Sequence, residues 1–507
     1  MGGVFAELCP SGAGLQREFL RTDTGRVLRY SDALEQSARL AHRLVALGVR
    51  AGDRVAVQVE KSAEAVLLYL ASLRTGAVYL PLNSGYTPAE LDYFLADSEP
   101  TLFVCAPERL ASLQPLAQRV GVPALATLGA DADGSLMAGA GEYSTQFENV
   151  PRGPDDLAAI LYTSGTTGRS KGAMLSHGNL LSNARTLAAL WDFTAQDVLL
   201  HALPIFHIHG LFVAINVTLA AGSSMIFLPR FDADLVLRHL PEASVMMGVP
   251  TFYVRLLKDS RLDRELAAHC RVFISGSAPL LIDTHHEWFA RTGHTLLERY
   301  GMSETGMNTS NPYAGERVPG SVGLPLPDVS LRIADAHSGA ALPGGEIGMI
   351  EVKGPNVFAG YWRQPDKIRA DFRDDGYFVT GDLGKIDPRG YVYIVGRSKD
   401  LVISGGYNIY PKEIETEIDA LPGVLESAVF GLPHPDFGEG VTAVIVRAAG
   451  AQEPTEGRAL LALRQRLAAY KLPKRLLFVD DLPRNSMGKV QKKLLRERYA
   501  GLYRTMS

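Results

Sequence analysis

The sequence predicts an α/β protein in two parts. A large N-terminal domain, residues 1–396, would hold several subdomains with mixed α/β sheets and a β-rich subdomain. A small α+β domain, residues 401–507, would follow. Three observations carry this expectation. The chain has 507 residues, too many for one hydrophobic core, so it divides into domains. Strand-like and helix-like runs alternate through about the first 300 residues, as in an α/β layer fold. The texture changes after residue 311, to alternating apolar runs rich in Gly and Pro, and again at residues 397–400.

The elements follow in order. Leu34, Ala38, Ala41, Leu44 and Leu47 stand near helical spacing in an amphipathic stretch at residues 31–47. Gly52-Asp53 turns into a short strand at 55–59, then a helix at 63–73 and a buried strand at 78–82. Residues 179–190 read as a helix capped by Asn179. Short apolar runs at 224–227, 244–247 and 272–274 lie between helical segments. Residues 318–400 read as β-hairpins, with Asp387-Pro388-Arg389-Gly390 as one turn. Beyond 400 come a helix at 413–421 and strands at 426–430, 441–446 and 476–479. Leu460, Leu463, Leu467 and Tyr470 mark a helix that stops before Pro473, and the end is helical. This last part is large enough to fold independently.

Hydrophobic residues at 46% and charged residues at 21% are ordinary for a globular chain and argue against long disorder. A net charge of −4 lacks the footprint of a nucleic-acid binder. The basic residues of 489–498 read as a solvated helix face. Cys9, Cys105 and Cys270 are odd in number and far apart, so neither a disulfide framework nor a zinc site is expected, which fits a reducing compartment. Residues 1–9 lack the parts of a secretory signal, and Ala6 stands where myristoylation needs Ser or Thr. The most apolar stretch, 211–221, is too short to span a bilayer. A cytoplasmic protein is expected.

Four motifs suggest chemistry. Thr163-Ser164-Gly165-Thr166-Thr167-Gly168-Arg169-Ser170-Lys171-Gly172 follows the apolar run 158–161. Its glycines let backbone N–H groups approach a ligand, while hydroxyls and Lys171 add donors and charge, as suits a polyphosphate. The spacing is not that of the common P-loop, and a strand-like segment follows where that motif requires a helix. A polar hairpin turn is the competing reading. In Glu298-Arg299-Tyr300-Gly301-Met302-Ser303-Glu304-Thr305, Glu304 suits Mg²⁺ and Tyr300 suits a base. Thr380-Gly381-Asp382 offers a carboxylate for ribose hydroxyls, and Pro483-Arg484-Asn485-Ser486-Met487-Gly488-Lys489 offers a lysine on a loop. Taken singly, these last three read more simply as surface turns and an exposed lysine.

Together and in this order, the motifs resemble the adenylate-forming superfamily of acyl-CoA synthetases, adenylation domains and luciferases, over nearly the whole chain. The resemblance implies that loop 163–172, with Thr163, Ser164, Gly165, Thr166, Thr167, Gly168 and Lys171, holds ATP phosphates. It implies that Ser277, Ala278 and Pro279 line the adenine and acyl pocket. Tyr300 and Gly301 would contact adenine, Ser303 a phosphate, Asp382 the ribose and Arg397 ribose or phosphate. Glu304 would bind Mg²⁺, and Lys489 would be the catalytic lysine. Residues 397–400 become a hinge centred on Lys399, and the C-terminal domain becomes mobile. Its rotation would bring Gly405 and Gly406 toward the site and open a path for coenzyme A. The carboxylate attacks the α-phosphorus of ATP, and the CoA thiol then displaces AMP. Lys489 also becomes a target for a lysine acyltransferase, because neutralising its charge would end its role.

The acid is narrowed by local strings. Phe206-His207-Ile208-His209-Gly210, residues 248–255, residues 300–312 and residues 402–415 are similar to malonyl-CoA synthetases. That resemblance implies malonate, with Arg255 holding the second carboxylate and His207 and Ser277 completing its site. Met302 would line the pocket, and Ile208 and Met307 would face C2. The bulk of Ile208 bears on methylmalonate. From periodicity alone, Arg255 would instead point to solvent. An acyl- or aryl-CoA synthetase for a monocarboxylic acid, an adenylation domain loading a carrier protein, and a non-catalytic nucleotide sensor are the alternatives.

Overall fold

The structure, a computed structural model, describes residues 3–163, 170–405, 407–448, 455–485 and 488–503. It divides into two units, one ending at Ser330 and including Val352–Phe378, the other made of Leu331–Glu351 and the chain from Val379 on.

In the first unit, alternating strands and helices build two large sheets. Among the described residues, one runs Gly360–Tyr361, Lys171–Ser176, Leu157–Thr163, Val78–Pro81, Arg54–Gln58, Leu102–Cys105, Ala124–Thr127. Its inner strands pair in parallel and are nearly wholly buried, so they read as apolar runs with no polar face. Helix Ala63–Thr75 is buried all round for the same reason. In the other sheet, Leu297–Met302, Val272–Ser275, Val245–Gly248, Val198–His201 and Ser224–Phe227 lie side by side in parallel. Gly306–Ser310 returns antiparallel beside Leu297–Met302. His201, Gly248, Ser275 and Tyr300 thus collect at the carboxyl ends of parallel strands, where α/β sheets bind ligands. Tyr253, Phe273 and Trp288 close one face with edge-on ring contacts of 4.9 and 5.0 Å.

One helix boundary differs from expectation. The helix is His177–Leu190, and its cap is Ser176. Ser176 Oγ accepts from the Asn179 backbone at 3.1 Å, and Asn179 Oδ1 accepts from the Ser176 backbone at 2.9 Å. Asn179 is therefore the returning half of a capping box.

The second unit carries most of a four-stranded sheet, in the order Ser330–Ala334, Gly348–Lys353, Phe378–Ile386, Val392–Arg397. It also holds a sheet built on the long hairpin Val424–His434 and Gly438–Arg447, with Arg475–Val479 added in parallel. Ile414, Ile418, Val429, Val441, Ile445 and Leu463 form its core. The helix expected to reach Tyr470 is Glu456–Leu463, followed by a 3-10 turn at Ala469–Lys471. The chain bends so that Leu467 and Leu472 reach the same core as Leu463, which a straight helix would not allow. Residues 397–400 lie inside this unit and include the 3-10 turn Ser398–Asp400. No helix among the described residues is long and apolar enough to cross a membrane.

Asp419 ends helix Pro411–Asp419 and accepts a hydrogen bond from Ser427 Oγ at 2.7 Å. Loss of solvent, reinforced by Glu415 and Glu426 against Lys412 and Ser427, pushes its carboxyl up to about 7. The folded state therefore binds a proton that the unfolded chain releases near pH 4, and stability falls as pH rises from about 4 to about 7. Asp419→Asn should raise the melting temperature of the second unit by roughly 2–4 °C at pH 8 and by less at pH 5. An equal change at both pH values, read by thermal melting, would refute the assignment.

Candidate active site

The turn between Leu297–Met302 and Gly306–Ser310 carries Glu304. Gly306 adopts φ +59°, which suits glycine, and a Cβ there would meet Asn183 Oδ1 at 2.9 Å. Asn183 grips the next residue with both ends of its amide: Nδ2 donates to Met307 O and Met307 N donates to Oδ1, each at 3.0 Å. Asn356 Nδ2 donates to Thr305 O at 2.8 Å and Asn308 Oδ1 at 3.0 Å. This clamp buries Glu304 at 7% exposure. Its Oε1 accepts from Tyr361 Oη at 3.1 Å and Thr163 Oγ1 at 3.4 Å.

Among the described residues no group of three His, Cys, Asp or Glu side chains could enclose a metal ion. One buried carboxylate beside hydroxyls nevertheless fits Mg²⁺, which takes most of its ligands from phosphate and water.

Loop 163–172 is placed only at its ends. Ser164, Gly165, Thr166, Thr167 and Gly168 lie outside the described residues. Thr163 ends Leu157–Thr163, and Lys171 opens Lys171–Ser176, antiparallel to it. Lys171 Nζ stands 3.7 Å from Asp371 and 4.5 Å from the Tyr361 ring centre. The loop therefore joins two strands, as its spacing predicts, and its lysine lies on the same tyrosine that touches Glu304.

The segment after Val272–Ser275 brings Ser277, Ala278 and Pro279 progressively toward the surface. Ser277 takes φ +72°, a strained conformation for a residue with a Cβ, and its Oγ lies 3.3 Å from His209 Nδ1. Ile208 and Met307 are 3% and 1% exposed, while Tyr300, Gly301, Met302, Ser303 and His207 are half-buried. His207 Nδ1 accepts from the His209 backbone at 3.4 Å. A Cβ on Gly301 would meet Gly306 O at 2.0 Å, so the wall beside Tyr300 needs glycine. Arg255 lies exposed on helix Pro250–Leu257, its guanidinium 5.9 Å from the Phe231 ring centre.

Within the second unit, Asp382 and Arg397 are cross-strand partners, joined by an ion pair of 2.7 Å in which Asp382 is buried. Lys399 is exposed on the 3-10 turn Ser398–Asp400. Gly405 takes φ +59° and donates its N–H to Phe437 O at 2.9 Å; Gly406 lies outside the described residues. Lys489 is exposed on a loop closed by backbone bonds between Asn485 and both Gly488 and Lys489, and its own N–H is held by Asn485 Oδ1 at 2.9 Å.

Sequence reasoning passed over Asn183, Asn356 and Tyr361. Asn183 lies four residues after Asn179 on one helix face, a weak signal because polar residues on a helix face usually meet solvent. Tyr361 had none, being 57 residues from the carboxylate it touches.

Comparison with known proteins adds the following. Residues 12–362 match the AMP-binding enzyme family, and residues 413–489 match the AMP-binding enzyme C-terminal domain. The mitochondrial malonate–CoA ligase ACSF3 of Mus musculus is 37% identical over 512 residues, covering 93% of this chain and 87% of that protein. A feruloyl-CoA synthase from Amycolatopsis sp is also 37% identical, covering 94% of each chain. ATP-bound MatB from Rhodopseudomonas palustris superposes with a TM-score of 0.97 at 59% identity, covering 99% of this chain and 100% of that one.

The asparagine clamp yields a prediction. Asn183→Ala removes the side-chain acceptor of the buried Met307 N–H and one of two donors to its C=O, which keeps Asn356 Nδ2, costing about 1–3 kcal/mol. Thermal melting should show the first unit less stable, and KM for the acid should rise because Met307 shifts. An unchanged melting point would contradict the clamp.

Proposed function

Because the chain belongs to the AMP-binding enzyme family, we propose that it converts malonate and CoA to malonyl-CoA through malonyl-AMP, using ATP and releasing AMP and pyrophosphate. The adenylation reading is carried by the buried Glu304 carboxylate facing Thr163 and Tyr361 at the edge of the phosphate loop. The choice of malonate draws on the likeness to a malonate–CoA ligase over 93% of the chain. The small apolar wall of Ile208 and Met307, closed to solvent, also suits a short acid. The feruloyl-CoA synthase is as similar in identity, so an aryl acid is the second reading and the acid must be tested directly.

The chemistry assigns each residue a task. The attacking carboxylate is already an anion, so the first step needs charge neutralisation and in-line placement in preference to a base. Tyr300 and Gly301 would hold adenine beside the segment Ser277, Ala278 and Pro279. Asp382, held in place by its ion pair with Arg397, would take the ribose hydroxyls. Ser303 and loop 163–172 would bind phosphate, and Lys489 would bridge the carboxylate and the α-phosphate. Glu304 would hold Mg²⁺, which when bound offsets charge on the departing pyrophosphate. His207 and Met302 would border the acid. In the second step the thiolate sulfur attacks the acyl carbon, the bond from that carbon to the phosphate oxygen breaks, and AMP leaves. We assign residues 397–400, centred on Lys399, as the hinge that withdraws Lys489 and presents Gly405 and Gly406 to the incoming thiol.

We place the enzyme in the cytoplasm, where Cys9, Cys105 and Cys270, free in the structure, remain thiols. Exposed Lys489 would be open to a lysine acyltransferase.

Pyrophosphate release with malonate, methylmalonate, succinate and acetate side by side should favour malonate, with methylmalonate penalised by Ile208. A preference for acetate or for an aryl acid would replace the malonate reading. Lys489→Ala should lower adenylation about 100-fold or more while largely keeping thioester formation from supplied malonyl-AMP. Equal loss of both half-reactions would contradict the hinge scheme. Arg255→Ala should raise KM for malonate; unchanged malonate turnover would remove Arg255 from the acid site.

A further inference from the structure

We propose that Arg484 is a positioning residue for the adenylation step and acts through the backbone of Lys489, an inference that rests on the reading of Lys489 as the lysine that bridges carboxylate and α-phosphate. Both residues lie in the loop that leads to helix Lys492–Arg498. Arg484 and Val490 form an antiparallel bridge, and Gln491 N donates to Pro483 O at 2.7 Å, so the loop is closed at its neck. Inside the neck, Gly488 takes φ +74° and donates its N–H to Asn485 O at 2.9 Å. Arg484 Nη1 donates to Gly488 O at 2.7 Å. Its Nη2 is ion-paired with Glu426 on strand Val424–His434.

These contacts converge on one peptide group. The C=O of Gly488 is held by Arg484, and the N–H of Lys489 on the same peptide bond is held by Asn485 Oδ1 at 2.9 Å. A peptide unit is planar, so holding both of its polar groups fixes the plane. On the far side, Lys489 O accepts from Asn485 N at 3.0 Å. The two peptide groups that flank Lys489 are thus both restrained, and they set the direction in which its Cβ leaves the loop. Only the side-chain torsions remain to be ordered when Lys489 meets its anion, which lowers the entropy cost of placing the charge.

Arg484 can do this because its guanidinium is a planar fork. One arm meets a carboxylate and the other a carbonyl. Glu426 sets the fork from a rooted position, because Ala428 and Phe430, next along the same strand face, are buried in the core of the sheet. After the loop, Lys492 Nζ lies 2.6 Å from Glu415 on helix Pro411–Asp419, and Glu415 Oε1 also accepts from Val429 N at 2.9 Å. The loop is therefore pinned by a cation at each end, with Lys489 between them. Leu482 before it and Leu495 after it belong to the same buried cluster as Phe430. That cluster supplies the apolar burial, so the ion pair of Arg484 adds orientation to a loop whose ends are already anchored.

The test separates the half-reactions, using the full-length enzyme and the acid that the substrate panel selects. Adenylation is read as acid-dependent exchange of pyrophosphate into ATP, and thioester formation as consumption of CoA by supplied acyl-AMP. Arg484→Met should lower kcat for adenylation about tenfold or more, with KM for ATP and acid within about twofold of wild type, because the charge is misplaced while the substrates still bind. Thioester formation should stay within about twofold. In a Lys489→Ala background, Arg484→Met should lower adenylation by less than about a further twofold, because its effect passes through Lys489. A further loss of about tenfold there, or equal loss of both half-reactions in the single variant, overturns the proposal. Lys489→Ala that keeps adenylation overturns the catalytic reading of Lys489 and this proposal with it. Lys489→Ala that loses adenylation while Arg484→Met keeps it overturns this proposal alone. Arg484→Met should melt within about 2 °C of wild type, since the buried cluster is untouched. Should it fail to fold, Glu426→Gln decides: it keeps an acceptor for the fork and removes the charge, and should lower adenylation about threefold while sparing thioester formation. Adenylation equal to wild type in Glu426→Gln overturns the proposal.

Discussion

Asn183 and Asn356 both hold the backbone from Thr305 to Met307, and much of the first unit's local geometry follows from that. A turn with glycine at positive φ is soft by itself. Here the two amides satisfy its buried carbonyls and Met307 N–H, so unlocking it would leave polar groups unpaired away from water. One side of the turn sets Glu304 against Thr163 and Tyr361. The other sets Met307 beside Gly301, where even a methyl group would collide with Gly306 O. The two sides of the turn are therefore held by the same few hydrogen bonds.

Electrostatics divides the first unit in a corresponding way. The buried carboxylate of Glu304 stands beside Thr163, where loop 163–172 begins. The buried Arg299 lies against Gly276, just past the end of Val272–Ser275. Low local dielectric strengthens both effects. In the second unit, the buried Asp382 is held by an ion pair with Arg397 across a strand pair.

Much of this was legible in residue order. The segment from Tyr300 to Glu304 is local, so a string of neighbours identified it, and the strand that follows loop 163–172 marked that loop as different from a P-loop. Asp382 and Arg397 were each picked out, while their pairing is a matter of strand register. Tyr361 and Asn183 were illegible because each acts on a residue far along the chain. Two helix ends were misplaced where a reciprocal cap and a bend toward the core outweighed periodicity. Arg484 stood in plain view inside a motif, yet its hold on Gly488 O and Glu426 is a property of the folded loop.

The sequence by itself determined the class of fold, the order of the motifs and the family, because local spacing and turn chemistry are written in neighbouring residues. Only the tertiary structure decided which side chains share a space. It buried Arg299 and His209 beside Gly276 and left Arg255 at the surface. The physical reason is that desolvation and charge compensation depend on everything packed around a group, and most of that comes from distant parts of the chain.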